Sequence, residues 1–332
     1  MSDLQMQINN IKNQSVITDL ALGFEPEIEV AHKWSLFDRY RQSGIHYIGL
    51  ALAGEFTNLE TAIRYISRHR ARIQNEPDKY LIVDKAQDIL KAKQENKLAL
   101  GFWLQGSNPL ANDINMIQTY YQLGIRYILL VYNTRNAIGD GVIEKHDSGL
   151  SEFGYKVIEE MNRVGMIIDL SHGGIKTSLQ AIEASHDPVI FSHSNANGVR
   201  SHVRNLTDEQ IIAVAQKNGV IGVNGLALLL GSEKSNSKKF VDHIDYMADL
   251  VGHANHISIG LDLVYFHEVL ELFFQKSGAT TYPKGYLGSF DSLQPEKIDE
   301  IIEELLLRGY SEPTIKNILG GNFLRVAEQV WR

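Results

Sequence analysis

Short apolar segments, rich in β-branched and aromatic residues, recur along the whole chain between longer segments of helical periodicity. They end in turn-forming residues and show little polar alternation, which is typical of parallel strands that are buried on both faces. Eight strands are predicted in this way: Val16–Asp19, His46–Leu52, Leu98–Leu104, Arg126–Tyr132, Met166–Leu170, Pro188–Ser192, Gly219–Asn224 and His256–Asp262.

The intervening segments carry helix signals at their ends. Segment 151–165 opens on an N-cap serine, Ser151, and closes on a C-cap glycine, Gly165. Thr207 and Gln210 fit a capping box at the start of segment 207–219. The other predicted helices here are 57–74, 84–95, 112–123, 175–184 and 238–251.

Eight strands that alternate with helices predict an α/β fold, a (β/α)8 TIM barrel, which takes about 250 residues. A doubly wound open sheet is the alternative. The nucleotide-binding versions of that alternative carry GxGxxG or GxxxxGK[ST] motifs, and the sequence contains neither in the required place.

The region after the eighth strand divides into an aromatic segment and two helices. Segment 263–291 is rich in aromatic residues and glycine, so it is predicted to pack on the barrel, to cover its mouth as a lid, or to form an oligomer contact. Helices are predicted over 295–307 and 312–331. Polar Asn322 and Arg325 beside Gly320 predict close docking of the last helix on the barrel. The whole chain, 1–332, is predicted to be a single domain.

Composition narrows the classes of partner. The 332 residues are 44% hydrophobic and 22% charged, with a net charge of −8 and no basic cluster with interleaved aromatics, which argues against nucleic acid. The polar start and the lack of an apolar run of membrane-spanning length predict a cytoplasmic protein without a membrane partner. With no cysteine, any metal would be held by histidine, carboxylate, amide or backbone groups.

Candidate catalytic residues lie at the predicted C-terminal ends of the strands, where such barrels carry their chemistry. They are Asp19, Gln105, Tyr132, Asn133, His172, His193, Asn224 and Asp262. A lone buried histidine is more often structural, but two on neighbouring strands with a carboxylate can hold a divalent ion, and zinc is favoured by nitrogen ligands. Such an ion would activate water, and Asp262 would accept the proton.

Several of these residues stand in longer motifs. The runs GLSEFGYKVIEEMNRVGMIIDLSHGG, PVIFSHSNANGVRSHVRNLTDEQIIAVAQKNGVIGVN and ISIGLD resemble the membrane (renal) dipeptidase family of zinc dipeptidases. The match is strong from Gly149 to Asp262 and collinear but weaker elsewhere. The resemblance implies a metal-dependent hydrolase of the amidohydrolase-like barrel kind, with a binuclear zinc site and a dipeptide substrate.

The resemblance also implies roles for individual residues. His172 and His193 match the family's two histidine ligands of the second zinc, and Asp262 matches the aspartate that handles the proton of the bridging water. Arg204 matches the arginine that binds the substrate's terminal carboxylate. Tyr132 stands where the family has a histidine that polarises the scissile carbonyl, and its hydroxyl could donate to an oxyanion. Together with Tyr132 and Arg204, Asn224 is predicted to bind substrate.

The first metal site of the family is not matched. The family's first strand ends in Asp-x-His-x-Asp, whereas this chain reads Asp19-Leu-Ala-Leu-Gly23, and Gln105 stands in place of a bridging glutamate. We therefore expect one divalent ion, zinc being favoured, at His172 and His193, with Gln105 and Asp19 as weaker ligands. A metal-free site is the alternative.

Three functions remain open on the sequence. The first is a metal-dependent dipeptidase-like hydrolase that cleaves a dipeptide or related small amide. The second is a divergent mononuclear or metal-free enzyme that acts on a small carboxylated metabolite, and the third is a binding protein without catalysis on the same fold. Each predicts a small-molecule partner with a free carboxylate. A homodimer is a further expectation.

Overall fold

The computed structural model describes residues 2–23, 30–264 and 288–332, with the side chains of 30–33 excepted. Its strands are all parallel, and eight of them follow one another around a barrel in the order β1-β2-β4-β5-β6-β7-β8-β9. The barrel prediction is thereby confirmed. The strands are β1 (Thr18–Leu22), β2 (Tyr47–Gly54), β3 (Tyr80–Ile82), β4 (Leu98–Gln105), β5 (Ile125–Leu129), β6 (Ile167–Asp169), β7 (Ile190–Phe191), β8 (Val220–Val223) and β9 (Ile257–Ile259).

The barrel closes between its first and last strands. Leu22 forms a parallel bridge with Leu263, and the backbone N–H of Asp262 donates to the carbonyl of Ala21 at 2.9 Å. The seam therefore lies directly beside Asp262, one of the predicted catalytic residues.

Strand β3 was not predicted from the sequence. It pairs with the first half of β4, Tyr80 opposite Leu98, while β5 pairs with the second half, Ile125 opposite Phe102. Three residues are too few to display a periodicity, so this strand is determined by its tertiary neighbours.

The helices cover the outside of the barrel, and their predicted ends are largely confirmed. Ser151 caps its helix by accepting from the N–H of Gly154, Gly165 ends that helix in the left-handed conformation, and Thr207 with Gln210 forms the capping box. The α-helices are Asp3–Gln14, Val30–Gln42, Leu59–Gln74, Ala86–Gln94, Met116–Gln122, Glu152–Val164, Ile175–Ala184, Asp208–Gln216, Ala227–Leu230, Ser237–Val251, Ile298–Leu307, Glu312–Lys316 and Asn322–Val330.

The prediction of one continuous helix over 312–331 is wrong, because the chain is interrupted at Gly320. A Cβ atom there would lie 2.3 Å from the carbonyl oxygen of Val16, so only glycine permits this approach. The next residue but one, Asn322, donates from Nδ2 to the carbonyls of Ala254 and Ile257, each at 2.8 Å. The final helix is thus tied to the base of the barrel.

Large aromatic side chains fill the barrel interior. Tyr47 packs on Phe323 of the last helix, with ring centroids 5.2 Å apart, and Trp103 stacks on Tyr127 at 5.1 Å. Gly49 makes room for this layer, since a Cβ there would lie 1.8 Å from the Tyr127 hydroxyl. The interior is therefore a packed floor beneath the mouth.

Two predictions about the ends of the barrel need comment. The first strand runs on to Leu22, so Asp19 lies within β1 and not at its end as predicted, because the buried leucines after it continue the ladder. Most of the aromatic segment 263–291 lies outside the described residues. Among the helices that the structure describes, none has the length and apolar character needed to cross a bilayer.

Candidate functional site

Two histidines meet at the mouth of the barrel. His172 follows β6 and His193 follows β7, and their Nε2 atoms lie 2.9 Å apart. Both side chains are buried, and the ring of Trp103 lies 5.9 Å below that of His193. The two histidines that the sequence places at the ends of neighbouring strands therefore do converge in space.

Each histidine is held from behind through its other ring nitrogen. His172 Nδ1 lies 2.7 Å from Oδ1 of Asn133, and His193 Nδ1 lies 2.6 Å from Oγ of Ser192. With Ser192 Oγ as its acceptor, His193 carries its proton on Nδ1 and turns an Nε2 lone pair toward His172. The 2.9 Å contact between the two Nε2 atoms is then a hydrogen bond when His172 carries its proton on Nε2, and an ion between the rings would replace that proton. Burial, and then the nearby charge of Arg204, lower the pKa of both histidines, which favours neutral rings.

Tyr132 covers the outer face of this pair. Its ring stacks on His172 with centroids 4.2 Å apart, and its far side meets Phe56 edge-on at 5.7 Å. Phe56 is 66% exposed, so this aromatic row leads from solvent to the histidines. Tyr132 therefore lies beside the two histidines, while its role toward an oxyanion stays a prediction.

Backbone conformation also marks the mouth. Seven non-glycine residues in the described ranges have positive φ, and three of them are Asn133, His172 and Asp262, with φ of 60°, 66° and 51°. This conformation is uncommon for residues other than glycine and tends to persist at functional sites, where surrounding contacts enforce it.

Arg204 brings a positive charge into the same region. Its side chain is only 5% exposed and donates from Nη2 to the backbone carbonyl of His193 at 3.1 Å. The charge acts on both histidines and on Asp262. A buried guanidinium, with its planar set of N–H donors, is suited to a carboxylate ligand.

Asp262 lies across the mouth, after β9. Its Oδ2 accepts a hydrogen bond of 2.9 Å from Nδ2 of Asn224, whose own Oδ1 accepts from the N–H of Leu226. Burial raises the pKa of Asp262 to about 6, with the Asn224 hydrogen bond and Arg204 acting in the opposite direction. Asn224 thus orients Asp262; its predicted contact with substrate stays a prediction.

Asp19 is engaged by the barrel itself. Its Oδ1 accepts from the N–H groups of Ala21 and Leu261, at 3.2 and 2.8 Å, and its Oδ2 accepts from the Tyr40 hydroxyl at 2.8 Å. Burial raises its pKa to about 7. These bonds tie the first strand to the last across the seam, so a ligand role for Asp19 would have to compete with them.

Gln105 ends β4 opposite Gly54 of β2 and is 8% exposed. Its backbone carbonyl accepts from the N–H of Glu55 at 3.2 Å. The position agrees with the predicted mouth of the barrel, while its role as a ligand stays a prediction.

The donor set fits one metal ion better than two. His172 and His193 offer converging, oriented, neutral imidazoles, which is how proteins prepare histidine ligands. In the part of the chain that the structure describes, no three histidine, aspartate or glutamate side chains cluster closely enough to hold an ion. Ala21, Gly23 and Gln105 add no charged ligand on the opposite side.

The structure also identifies site residues that the sequence reasoning did not assign. Asp169 and Ser192 are completely buried and form the hydrogen-bonded support of His193. Asn133, already a candidate from the sequence, supports His172. The runs Asp169-Leu-Ser-His and Phe-Ser-His contain the signal, since a polar residue inside a buried strand needs a partner. Which partner it has depends on the neighbouring strand.

Comparison with known proteins gives a family match over most of the chain. A family model described as membrane dipeptidase (peptidase family M19) matches residues 7–272. The dipeptidase verJ of Clonostachys rogersoniana is 28% identical over 278 residues, covering 83% of this chain and 66% of the relative. Dipeptidase 3 of Rattus norvegicus is 32% identical over 241 residues, covering 70% and 45%. The chain thus spans less than two thirds of the length of these curated relatives.

Solved structures match over nearly the full length. An amidohydrolase from Pseudomonas aeruginosa has a TM-score of 0.88 and 27% identity, covering 98% of this chain and 99% of that one. A metallo peptidase from Rhodobacter sphaeroides, liganded with a phosphinate mimic of the dipeptide L-Ala-D-Ala, has a TM-score of 0.77 and 18% identity, covering 96% and 100%. The second likeness concerns the fold alone.

Proposed function

This chain belongs to the membrane dipeptidase family, peptidase family M19, and from that premise we propose that it is a dipeptidase-like hydrolase. The proposed substrate is a dipeptide or related small amide with a free carboxylate. The observation that carries the proposal is the convergence of the His172 and His193 Nε2 atoms, 2.9 Å apart, beside the buried charge of Arg204. A site of this kind is prepared for both an ion and an anionic substrate.

We propose one divalent ion per chain, with zinc as the favoured metal, held by His172 and His193. When bound, such an ion acts as a Lewis acid and lowers the pKa of a coordinated water. Gln105 and Asp19 are weaker candidates for completing the ligand set, and Asp19 would first have to give up its bonds to Tyr40 and Leu261.

The remaining roles fall to side chains around the histidines. Arg204 binds the substrate carboxylate and so places the amide near the mouth. Asp262 accepts the proton of the attacking water, a role that suits a carboxylate with a pKa of about 6, because it is ionised at neutral pH and still a usable base. The Tyr132 hydroxyl donates a hydrogen bond to the oxyanion that develops at the amide carbonyl.

Metal analysis and a substrate panel test this proposal together. Protein purified without chelator is expected to contain one ion per chain. After loading with zinc, manganese or cobalt, it is expected to cleave some members of a panel of L,L and L,D dipeptides. A metal-loaded protein that cleaves none of them would refute the proposed activity.

A second candidate is a divergent enzyme that acts on a small carboxylated metabolite with one ion or none. The observation that favours it is the first strand, where Ala21 and Gly23 carry no ligand and Asp19 is hydrogen-bonded to Tyr40 and Leu261. Full dipeptidase activity that required two ions per chain would exclude this candidate. A purely binding protein is separated from both by Asp262→Asn, which should leave its ligand affinity unchanged.

A further inference from the structure

A chain of buried hydrogen bonds ends at His193. Oδ1 of Asp169 accepts from the backbone N–H groups of Ser171 and Ser192, each at 3.0 Å, and Oδ2 accepts from the Ser192 hydroxyl. Ser192 Oγ in turn lies 2.6 Å from Nδ1 of His193. All these groups are buried, so the hydrogen-bonded series is shielded from bulk water.

The hydrogen bonds that link Asp169, Ser192 and His193 all run in one direction. The Ser192 hydroxyl donates to Oδ2 of Asp169, so its proton points away from His193. The Ser192 oxygen must then accept from His193, which places the histidine proton on Nδ1 and leaves a lone pair on Nε2. We propose that Asp169 and Ser192 are positioning residues that lock His193 in this tautomer, with Nε2 as an acceptor facing His172.

The free-energy cost of burying the Asp169 carboxyl group indicates a role beyond packing. Asp169 is 0% exposed, and burial raises its pKa, so keeping it ionised consumes stability. Its contacts in the described part of the chain are hydrogen bonds from neutral donors. A neutral side chain would fill the space at lower cost, but it would not hold the Ser192 hydroxyl in this direction.

The variant Asp169→Asn tests the direction. The two backbone N–H groups keep the amide oxygen of the new side chain at the Oδ1 position, so its NH2 group must face Ser192. Ser192 then accepts from that NH2 and donates to His193 Nδ1, which moves the histidine proton to Nε2. Long-range ¹⁵N–¹H NMR of histidine-labelled, metal-free protein is expected to show Nδ1–H in the wild type and Nε2–H in Asp169→Asn.

Zinc binding gives a second readout. A protonated Nε2 cannot bind a metal, so competition of the protein with a chelating dye for Zn²⁺ should show an affinity loss of roughly 10- to 100-fold in Asp169→Asn. Ser192→Ala removes the acceptor without reversing the direction. It is expected to give a mixture of both tautomers and a smaller loss of zinc affinity.

Asp19→Asn is the matched control, because Asp19 is equally buried and also accepts three hydrogen bonds, one of them from the Tyr40 hydroxyl. It should leave the His193 tautomer unchanged. The proposal is overturned if the wild type carries Nε2–H, or if neither Asp169→Asn nor Ser192→Ala changes the tautomer.

The tautomer assignment stands on contacts alone, and only its effect on turnover rests on the proposed function. A tautomer that reverses in a protein without dipeptidase activity would support the positioning role and refute the hydrolase. An active enzyme whose His193 tautomer is the same in all variants would do the opposite. The two ideas therefore fail separately.

Discussion

The two sides of the barrel mouth are built differently. On the side of β6 and β7, His172 and His193 are each backed by a buried hydrogen-bonded partner, Asn133 and Ser192. On the side of β1, the corresponding positions are Ala21 and Gly23, and the carboxylate within β1 itself, Asp19, is used to join the ends of the barrel. The fold is the same on both sides, so the difference lies in the side chains.

The comparison indicates where the chemistry of this chain resides. The histidine side retains both the reactive groups and the buried polar residues that orient them, and those supports are costly to keep without a use. The described contacts of Asp19 in β1 serve to hold the barrel together. We therefore expect substitutions on the histidine side to change function and those on the β1 side to change mainly stability or metal count.

The largest effect on turnover is expected for Asp262→Asn. Asparagine has the same shape as aspartate and can still form hydrogen bonds, but it cannot act as the general base. Loss of a general base typically costs roughly 10²- to 10⁴-fold in turnover. The wild-type kcat/KM should fall as the pH drops through about 6, because protonated Asp262 cannot accept a proton, and the variant should lose this dependence. Steady-state kinetics over about pH 5–8 measure both the loss of turnover and the change in pH dependence.

A variant with wild-type turnover at pH 7 would remove Asp262 from the mechanism. Asn224→Asp is a useful companion, since Asn224 donates the 2.9 Å hydrogen bond to Asp262 Oδ2. A second carboxylate there should raise the pKa of Asp262 and move the acidic limb of the profile upward.

Breaking the histidine pair is expected to have the next largest effect. His172→Ala removes one of the two converging nitrogens, and we expect kcat/KM to fall by roughly 100-fold or more, the upper end of what loss of a supporting residue costs. Metal content should fall with it. His46→Ala is the control, because the half-buried His46 directly precedes β2, at the other end of the barrel from the mouth, and accepts from the N–H of Ile17.

Much of the fold could be predicted from the sequence, because a parallel strand buried on both faces is an apolar run with clear ends. Met166–Leu170 and Gly219–Asn224 were found in this way and lie on β6 and β8. The sequence prediction ended the first strand too early, at Asp19. A linear pattern does not show whether the leucines that follow, Leu20 and Leu22, continue the strand or begin a turn toward the next helix, and in the structure they continue β1.

The candidate site was only partly accessible to the same reasoning. The histidines stand out as polar residues at strand ends, whereas Asp169 is the last residue of the buried strand β6 and its partner Ser192 directly follows β7. The stacking of Tyr132 on His172 likewise joins distant parts of the chain. Such pairings depend on strand register and loop conformation, including positive φ at Asn133 and His172, which a linear pattern does not contain.

A smaller effect, confined to substrate affinity, is expected for Arg204→Lys. Lysine keeps the charge but loses the planar pair of donors, so KM for a dipeptide should rise by roughly 10-fold, the lower range for hydrogen bonds to charged groups. The same substitution should leave KM for a dipeptide amide unchanged, because that substrate has no terminal carboxylate. An equal rise in KM for both substrates would show that Arg204 supports the backbone at His193 and does not bind the carboxylate.

The smallest effect should come from rebuilding the other side of the mouth, with Ala21→His, Gly23→Asp and Gln105→Glu combined. A Cβ at Gly23 would meet Oδ1 of Asp262 at 3.5 Å, an ordinary contact, so an aspartate can be accommodated there. Without metal its charge opposes that of Asp262, and the imidazole crowds the buried position of Ala21, so the variant should unfold at a lower temperature than the wild type.

Zinc should reverse that loss if the difference between the two sides lies in these ligands alone. An added site occupied at ten times its Kd contributes about 1.4 kcal/mol, a rise in Tm of roughly 2 °C for a chain of 332 residues. The metal content should increase from one ion per chain to two, while Gly23→Asp alone should gain neither. If the triple variant still bound a single ion, the backbone around β1, and not only its side chains, would have to differ from what a second ion requires.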